Sequence, residues 1–533
     1  MPHFKSGIVV AANPLATKAG LNALRKGGNA VDAAVSAALT LGVASPAFCG
    51  IGGGGFALIW LAAQDKSFFV DYRERAPHAA REDMFRLTSS GKVIRNENSQ
   101  GHKAIATPGT IAGHSFMLKK YGRLTLKQAL APAIGHARRG FRVGRGLAYA
   151  WKMSASKLTR FRDAGRIYLK RGKPYRTGDH IVLRDLAKSY VSISRAGPEE
   201  FYTGKLSSLI LDELSSNGGL LTRQDMEHFE PTVRMPVVGT YKGLEVISAP
   251  PPSSGGAVIL EVLNMLEGYD LGGLGHNSPQ ALHLISETLA RGYLNGRSRI
   301  CDPDFSNIPV RDLISKEFAK TLSSTISPNA ATMKLERSNS STKPTSSTSH
   351  LVVVDAEHNV VSMTESVECY FGSGVVAQGT GIVLNDTMHD FDPTPGKMNS
   401  VAPWKIPMSS MSPTIIMKEG LPFMAVGSTG ATRIISSTLQ TILNVVEFGM
   451  PLGDAVTAPR IHVQDDQLLV EDGIPHGSLV GLRRMGHPLQ IKRPASPEDP
   501  GLYFGGVHAA LLKPDGLEGA PDPRRDGLAI GLA

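Results

Sequence analysis

The chain has little of what marks several common classes of protein. It holds only 3 cysteines in 533 residues, Cys49, Cys301 and Cys369. They lie far apart with no CxxC pair, which excludes a disulfide scaffold and a cysteine-rich zinc site and makes buried thiols the expectation. No apolar run approaches the roughly 18 residues of a membrane span. The nearest candidate, Ala33 to Ala47, is interrupted by Ser36, Thr40, Ser45 and Pro46 and leads into four glycines, so a core helix is expected there. The N-terminus, MPHFKSGIVVAANPLA, lacks a sustained apolar stretch before a small-residue cleavage site. A cytoplasmic protein is therefore expected from the chain as written, or a periplasmic or secreted one if this is a trimmed mature form. There is no internal repeat, no GxSxG elbow, no HExxH and no GxxxxGK[ST] phosphate loop. Ser89 to Lys92, Ser154 to Lys157 and Ser340 to Lys343 fit SxxK, but no SDN or KTG partner accompanies them.

What is present describes a folded protein. Hydrophobic residues make up 41%, charged residues 20% and aromatics 6%, which excludes global disorder. Length alone suggests about two to four domains. The net charge of +10 is local: between Arg138 and Arg176 thirteen Lys or Arg face one acid, Asp163, and the remainder of the chain sums to −2. Phe141, Tyr149, Trp151, Phe161, Tyr168 and Tyr175 interleave with these cations, as on a stacking surface for single strands. No nucleic-acid-binding signature accompanies them, so a solvated helical segment with its aromatics turned to the core is preferred and no nucleic-acid partner is expected.

Along the chain, Ile8 to Ala12 suits a buried strand, and helices follow from Pro14 to Lys26 and, capped by Asn29, over AVDAAVSAALTLGV. GIGGGGFALIWLA turns into a strand with Phe68 to Tyr72 as its antiparallel neighbour. A helix-rich region is expected from about 110 to 333, with the turn-forming APPPSSGG ahead of a helix over AVILEVLNMLEGY. The Ser/Thr-rich stretch KLERSNSSTKPTSSTS then reads as an exposed flexible linker over 334–347. It runs straight onto a β-hairpin, His350 to Val354 and Val360 to Val367, with Thr348 at the junction. Such a junction suits one kind of covalent amidase, in which a threonine's own α-amino group is the base, because the chain must be cut just before that threonine. An α-amine titrates near 7.7 to 8.0 and accepts the hydroxyl proton at neutral pH (roughly, in unperturbed form).

The segments AANPLATKAGLNALRKGGNAVDAAVSAALTLGV, GIGGGGFALIW, VDYRERAP, ATPGTIAG, PPPSSGG, CDPDF, STSHLVVVD, YFGSGVV, GTGIVLND, PMSSMSPT and VGSTGATR together resemble the γ-glutamyltransferase (glutathione hydrolase) proenzyme family of N-terminal-nucleophile hydrolases, nearly end to end. The resemblance implies an α+β fold, an αββα four-layer sandwich with two stacked, mainly antiparallel sheets. It also implies a precursor that cuts itself between Ser347 and Thr348 into intertwined subunits, residues 1–347 and 348–533, forming one domain. By the same resemblance Thr348 is the nucleophile, Ser366 orients its hydroxyl, and Gly430 and Ala431 supply the oxyanion-stabilising N–H groups. Arg73, Ser409 and Ser410 are implied to hold the α-carboxylate of a γ-glutamyl donor such as glutathione, and Asp390, Glu368 and Thr387 its α-ammonium. Water or an amino acid or dipeptide would accept the acyl group, and neither metal nor organic cofactor is required.

The sequence departs from the family pattern in places. Glu368 stands where Asn is common, Thr387 where Gln or Glu is common, and Ala431 where a second glycine is usual. The stretch from Phe391 to Pro407 is short, as in members without a lid over the donor pocket. A rearranged γ-glutamyl site is the leading expectation. The alternatives are a related acylase of cephalosporin acylase or oxamate amidohydrolase type and, behind both, a non-catalytic basic binding protein.

Overall fold

Strands with strict period-two alternation between two apolar faces build the centre of the molecule. In the computed structural model of the chain, which describes residues 4–332, 347–494, 496 and 499–532, the strand Gly7–Ala11 sends Ile8 and Val10 to one apolar cluster and Val9 and Ala11 to another. Ser349–Asp355 divides the same way, with Val352 and Val354 opposed to Leu351 and Val353. A strand buried on both faces needs cover on both, and here a second stacked sheet covers one face and helices the other.

One sheet has seven strands in the order Leu528–Gly531, Gly7–Ala11, Ser349–Asp355, Val360–Ser366, Gly54–Leu61, Lys66–Asp71 and Thr232–Arg234. The other has six, in the order Gly516–Pro521, Val507–Lys513, Leu421–Ser428, Thr414–Lys418, Leu244–Ser248 and Val237–Tyr241. Every pairing in these two sheets is antiparallel. Between the sheets lies a cluster containing Phe56, Phe69, Ile247, Ile415 and Ala510. The helices Pro14–Arg25, Ala30–Ala44 and Thr110–Tyr121 cover the outer face of the seven-stranded sheet. Gly255–Leu266, Arg433–Val446 and Leu452–Thr457 cover the other. This is the four-layer αββα sandwich.

Local chemistry explains the first helices. Asn29 and Asp32 form a reciprocal capping box at the start of Ala30–Ala44, and all fifteen residues of that helix are buried. Such an alanine-rich helix has no polar face because it is covered on every side. The expected hairpin is Ser349–Asp355 with Val360–Ser366. The helix-rich stretch also contributes three strands to these two sheets, 232–234 at the edge of one and 244–248 and 237–241 at the end of the other, and a two-stranded sheet of Phe141–Arg142 and His180–Ile181; their short polar-apolar runs lie between long helical patterns that mask them. Of the expected exposed linker, residues 334–346 lie outside the described residues, and its last residue, Ser347, is fully buried. No helix among the described residues is long and apolar enough to cross a membrane. The aromatics of the basic segment turn inward: Phe141, Trp151 and Tyr168 are buried and Tyr149, Phe161 and Tyr175 pack against the same core. The three cysteines are free.

Candidate active site

Thr348 immediately precedes a central strand and is 2% exposed. Its hydroxyl donates to the carbonyl oxygen of Ser347, the residue before it. The Ser366 hydroxyl, at the end of the neighbouring strand, donates to the same carbonyl at 2.5 Å and lies 3.5 Å from the Thr348 Oγ1. Two hydroxyls on one carbonyl oxygen polarise it while one of them stands beside the carbon it would attack. Ser347 is held from its other side, its N–H donating to the Glu368 carbonyl at 2.6 Å and its hydroxyl to the Cys369 carbonyl at 2.9 Å. Ser366 Oγ in turn accepts the Glu368 N–H at 2.8 Å.

Glu368 is the joint between this cluster and a second one. Its backbone lies in the left-handed region, φ 77°, an uncommon conformation for a side chain with a Cβ. That turn keeps the main chain on Ser347 while the carboxyl group reaches to 3.9 Å from the Arg73 guanidinium. Arg73 follows the end of Lys66–Asp71 and is fully buried, paired with Asp390 and lying 3.7 Å from Glu74. Its backbone N–H is fixed by Asp71 Oδ1 at 3.0 Å, and the other oxygen of Asp71 accepts Arg234 Nε at 2.7 Å. Two guanidinium nitrogens of Arg73, Nε and Nη1, and both carboxylate oxygens of Glu74 are buried without a hydrogen-bond partner. Buried polar groups normally find partners, and these four atoms stand out because they have none.

The electrostatics follow from one cation among several acids in a dry site. Burial pushes Glu74 up to about 7, with Arg73 opposing the rise. The Thr387 hydroxyl is close enough to ease that rise but makes no well-formed hydrogen bond. Burial, then the charges of Asp390 and Asp386, push Glu368 well above the usual carboxylate range against the pull of Arg73. Burial by itself would lower Arg73, and Asp390, Glu74 and Glu368 more than compensate.

Gly430 and Ala431 form the turn between the strand Leu421–Ser428 and the helix Arg433–Val446, both with positive φ, 114° and 54°. The alanine therefore accepts the left-handed conformation, at a cost of about 1 kcal/mol relative to glycine. Three residues earlier, Gly427 packs against the His350 ring so closely that a Cβ there would lie 2.3 Å from it. This contact joins the two sheets two residues beyond Thr348. Ser409 is buried, its hydroxyl accepting the Met411 N–H at 3.1 Å and its carbonyl the Ser254 N–H at 2.8 Å. Among the described residues no hydrogen bond joins Ser409 or Ser410 to Arg73 or Asp390. Asn399 makes the connection, donating to the Asp390 carbonyl at 2.6 Å and accepting the Met408 N–H at 2.9 Å.

The family model described as gamma-glutamyltranspeptidase matches residues 16–532. The chain belongs to that family. A glutathione hydrolase proenzyme of Pseudomonas sp. (strain A14) is 38% identical over 99% of this chain and 94% of its own length. An acylase ACY 1 proenzyme of Pseudomonas sp. (strain V22) is also 38% identical, over 99% of this chain and 94% of its own. Among solved structures, a cephalosporin acylase from Bacillus halodurans superposes with a TM-score of 0.90 at 28% identity, covering 100% of this chain and 97% of that one. All three align with the chain almost from end to end.

Within this family member, sequence reasoning overlooked Glu74, Asp386 and Asn399. Glu74 was visible as the neighbour of Arg73 in VDYRERAP, but nothing in an Arg-Glu-Arg string says that the middle acid is the one buried without donors. Among the described residues two clusters have metal-ligand spacing, Glu368 with His389 and Asp390, and His283 with Glu287 and His487. Each already holds a cation or a hydrogen bond where an ion would sit: Arg73 on Asp390 in the first, Arg291 on Glu287 at 2.9 Å and a 2.7 Å His283–His487 contact in the second.

Proposed function

We propose that this protein is an autoprocessing γ-glutamyl amide hydrolase and transferase acting on glutathione or related donors. The observation that carries the reading is the Thr348 hydroxyl on its own preceding carbonyl, joined through Glu368 to the buried Arg73–Asp390 cluster. In the first stage Thr348 Oγ attacks the Ser347 carbonyl carbon. The peptide C–N bond breaks, an ester forms, and water cleaves the ester to leave chains 1–347 and 348–533 with a free α-amine on Thr348. In the second stage that amine takes the hydroxyl proton and Oγ attacks the γ-amide of the donor. Arg73, assisted by the Ser409–Ser410 loop, holds the α-carboxylate by its fork, and Asp390, Glu368 and Thr387 hold the α-ammonium. The N–H groups of Gly430 and Ala431 receive the oxyanion. The amine product leaves with the proton, and the glutamyl ester passes to water or to an acceptor amine.

The family membership and the glutathione hydrolase relative support this reading. A second reading, an acylase for an amide without an α-amino group, is favoured by one feature: Asp390 is already paired with Arg73 and Glu368 lies 3.9 Å from the same guanidinium, so neither is a free counter-ion for an ammonium. The acylase relative, at the same identity, is consistent with it. Purified protein is expected to run as two chains and to cleave γ-glutamyl anilide at least about tenfold better than glutaryl anilide, which lacks the ammonium. Thr348→Ala is expected to stay one chain with no amidase activity. A wild-type protein that is uncut and fully active would sink the proposal, and a preference for the glutaryl substrate would install the second reading.

A further inference from the structure

Four strands of the seven-stranded sheet end in step. Glu365 pairs with Ser349 on one side and Gly55 on the other, and Gly55 exchanges backbone hydrogen bonds with Tyr72 at 3.1 and 3.4 Å. One residue further out, the same four strand ends carry Thr348, Ser366, Gly54 and Arg73. The proposed nucleophile, its partner serine and the carboxylate-binding arginine thus stand on one row. Beneath that row, on the face toward the helices, is a group of polar side chains that the proposed chemistry does not use.

The Tyr72 hydroxyl donates to Glu365 Oε1 at 3.0 Å, and His114 Nε2 lies 2.5 Å from the same oxygen. Tyr72 and His114 are fully buried and Glu365 is 3% exposed. The reach of Tyr72 across the intervening strand depends on Gly55, where a Cβ would come within 3.0 Å of Glu365 Cγ. The helix Thr110–Tyr121 can lie directly on the tyrosine ring because Gly113 has no side chain; a Cβ there would be 2.3 Å from Tyr72 Cγ. The next residue of that helix is His114. A buried carboxylate bonded to two donors in a dry setting is costly to disturb and is therefore rigid. Here it ties the backbone immediately before Arg73 to the backbone immediately before Ser366.

We infer that Tyr72, Glu365 and His114 form a positioning clamp that sets the separation between Arg73 and the Thr348–Ser366 pair, and thereby the selection for donors that carry an α-carboxylate. The inference rests on the γ-glutamyl reading of the site. Self-cleavage uses Thr348, Ser347 and Ser366 but not Arg73, so the clamp acts on turnover and spares processing.

The test compares γ-glutamyl anilide with 4-aminobutyryl anilide, which differs only in lacking the α-carboxylate, for wild type, Tyr72→Phe, His114→Leu and Glu365→Gln. Tyr72→Phe is expected to raise KM for γ-glutamyl anilide about fivefold, as loss of one buried hydrogen bond allows, while kcat/KM for the 4-aminobutyryl substrate and the rate of self-cleavage change less than about twofold. His114→Leu is expected to shift the same substrate ratio in the same direction, and it decides the matter if Tyr72→Phe does not fold. Glu365→Gln still accepts from the Tyr72 hydroxyl and is expected to keep the ratio within about twofold of wild type. Equal losses on both anilides, or an unchanged ratio in both Tyr72→Phe and His114→Leu, overturn the clamp alone. A wild type that processes itself but does not turn over γ-glutamyl anilide overturns the donor reading and the clamp together.

Discussion

Between Arg138 and Arg176 thirteen cations are spread over three helices and their turns, twelve of them exposed, whereas the site at the sandwich end holds a single fully buried arginine, Arg73. The exposed cations give the chain its positive charge. Water and salt screen them, and the pairs they make, such as Lys170 with Asp179 at 2.7 Å, are the surface kind that contributes little. Arg73 adds one charge and lies within reach of three carboxylates, Glu74, Glu368 and Asp390, of which only Asp390 keeps substantial access to water. What the basic segment does contribute comes from its inward aromatics. Trp151 lies 5.4 Å from Phe371, in the turn that follows Glu368, with Tyr168 5.3 Å from the same ring. The conspicuous charges thus solvate one side of a helical layer whose other side supports the site.

That contrast can be broken by substitution. Trp151→Ala, inside the basic segment, is expected to have the largest effect, a loss of about 3 to 5 kcal/mol measured by denaturant unfolding. A change below about 1 kcal/mol would mean that the segment's aromatics are not core. Glu74 comes next. Its carboxyl is raised from 4.5 to about 7, so the folded state holds the proton through a window in which the unfolded chain has lost it. Its contribution is therefore greatest below the ordinary glutamate range and declines as pH rises toward 7, by at most about 3 kcal/mol. Glu74→Gln is expected to remove this component from the difference in melting temperature between pH 4.5 and 7; identical pH profiles for variant and wild type would refute the assignment. Arg73→Lys keeps the charge but loses the fork, and kcat/KM for γ-glutamyl anilide is expected to fall about thirtyfold, near 2 kcal/mol, with processing intact. The smallest effect belongs to the exposed cations. Combined Arg171→Gln, Lys173→Gln and Arg176→Gln should alter stability by less than about 0.5 kcal/mol and turnover by less than about twofold. A larger loss of turnover would show that this charge steers the donor.

Legibility differed between these regions for physical reasons. The hairpin from Ser349 to Ser366 was readable because residues with period two and β-branching have one extended solution, and Thr348 stood out because a Ser/Thr tract ran into it and the family's motifs align it with the nucleophile. The edge strands Thr232–Arg234 and Val237–Tyr241 are half-exposed, so their apolar pattern is weak and the helices around them dominate the local signal. Ser409 was expected beside the donor carboxylate; its hydroxyl also accepts the Met411 N–H in a local turn and keeps its own proton to donate, a double use open to short polar side chains wherever the backbone bends.

Strand and helix types, the buried alanine-rich helix, the junction at Thr348 and the family's motif order are local properties, written in spacing and residue type. The partners that a buried residue meets are not local. Arg73, Glu74 and Arg75 are adjacent in sequence and all buried, and only the tertiary arrangement gives Arg73 its carboxylates and leaves Glu74 without a donor, so that it rises to about 7. In the same way, the step in which four strand ends halt places Thr348, Ser366 and Arg73 on one row. Register across a sheet is a relation among segments hundreds of residues apart, and no window of sequence contains it.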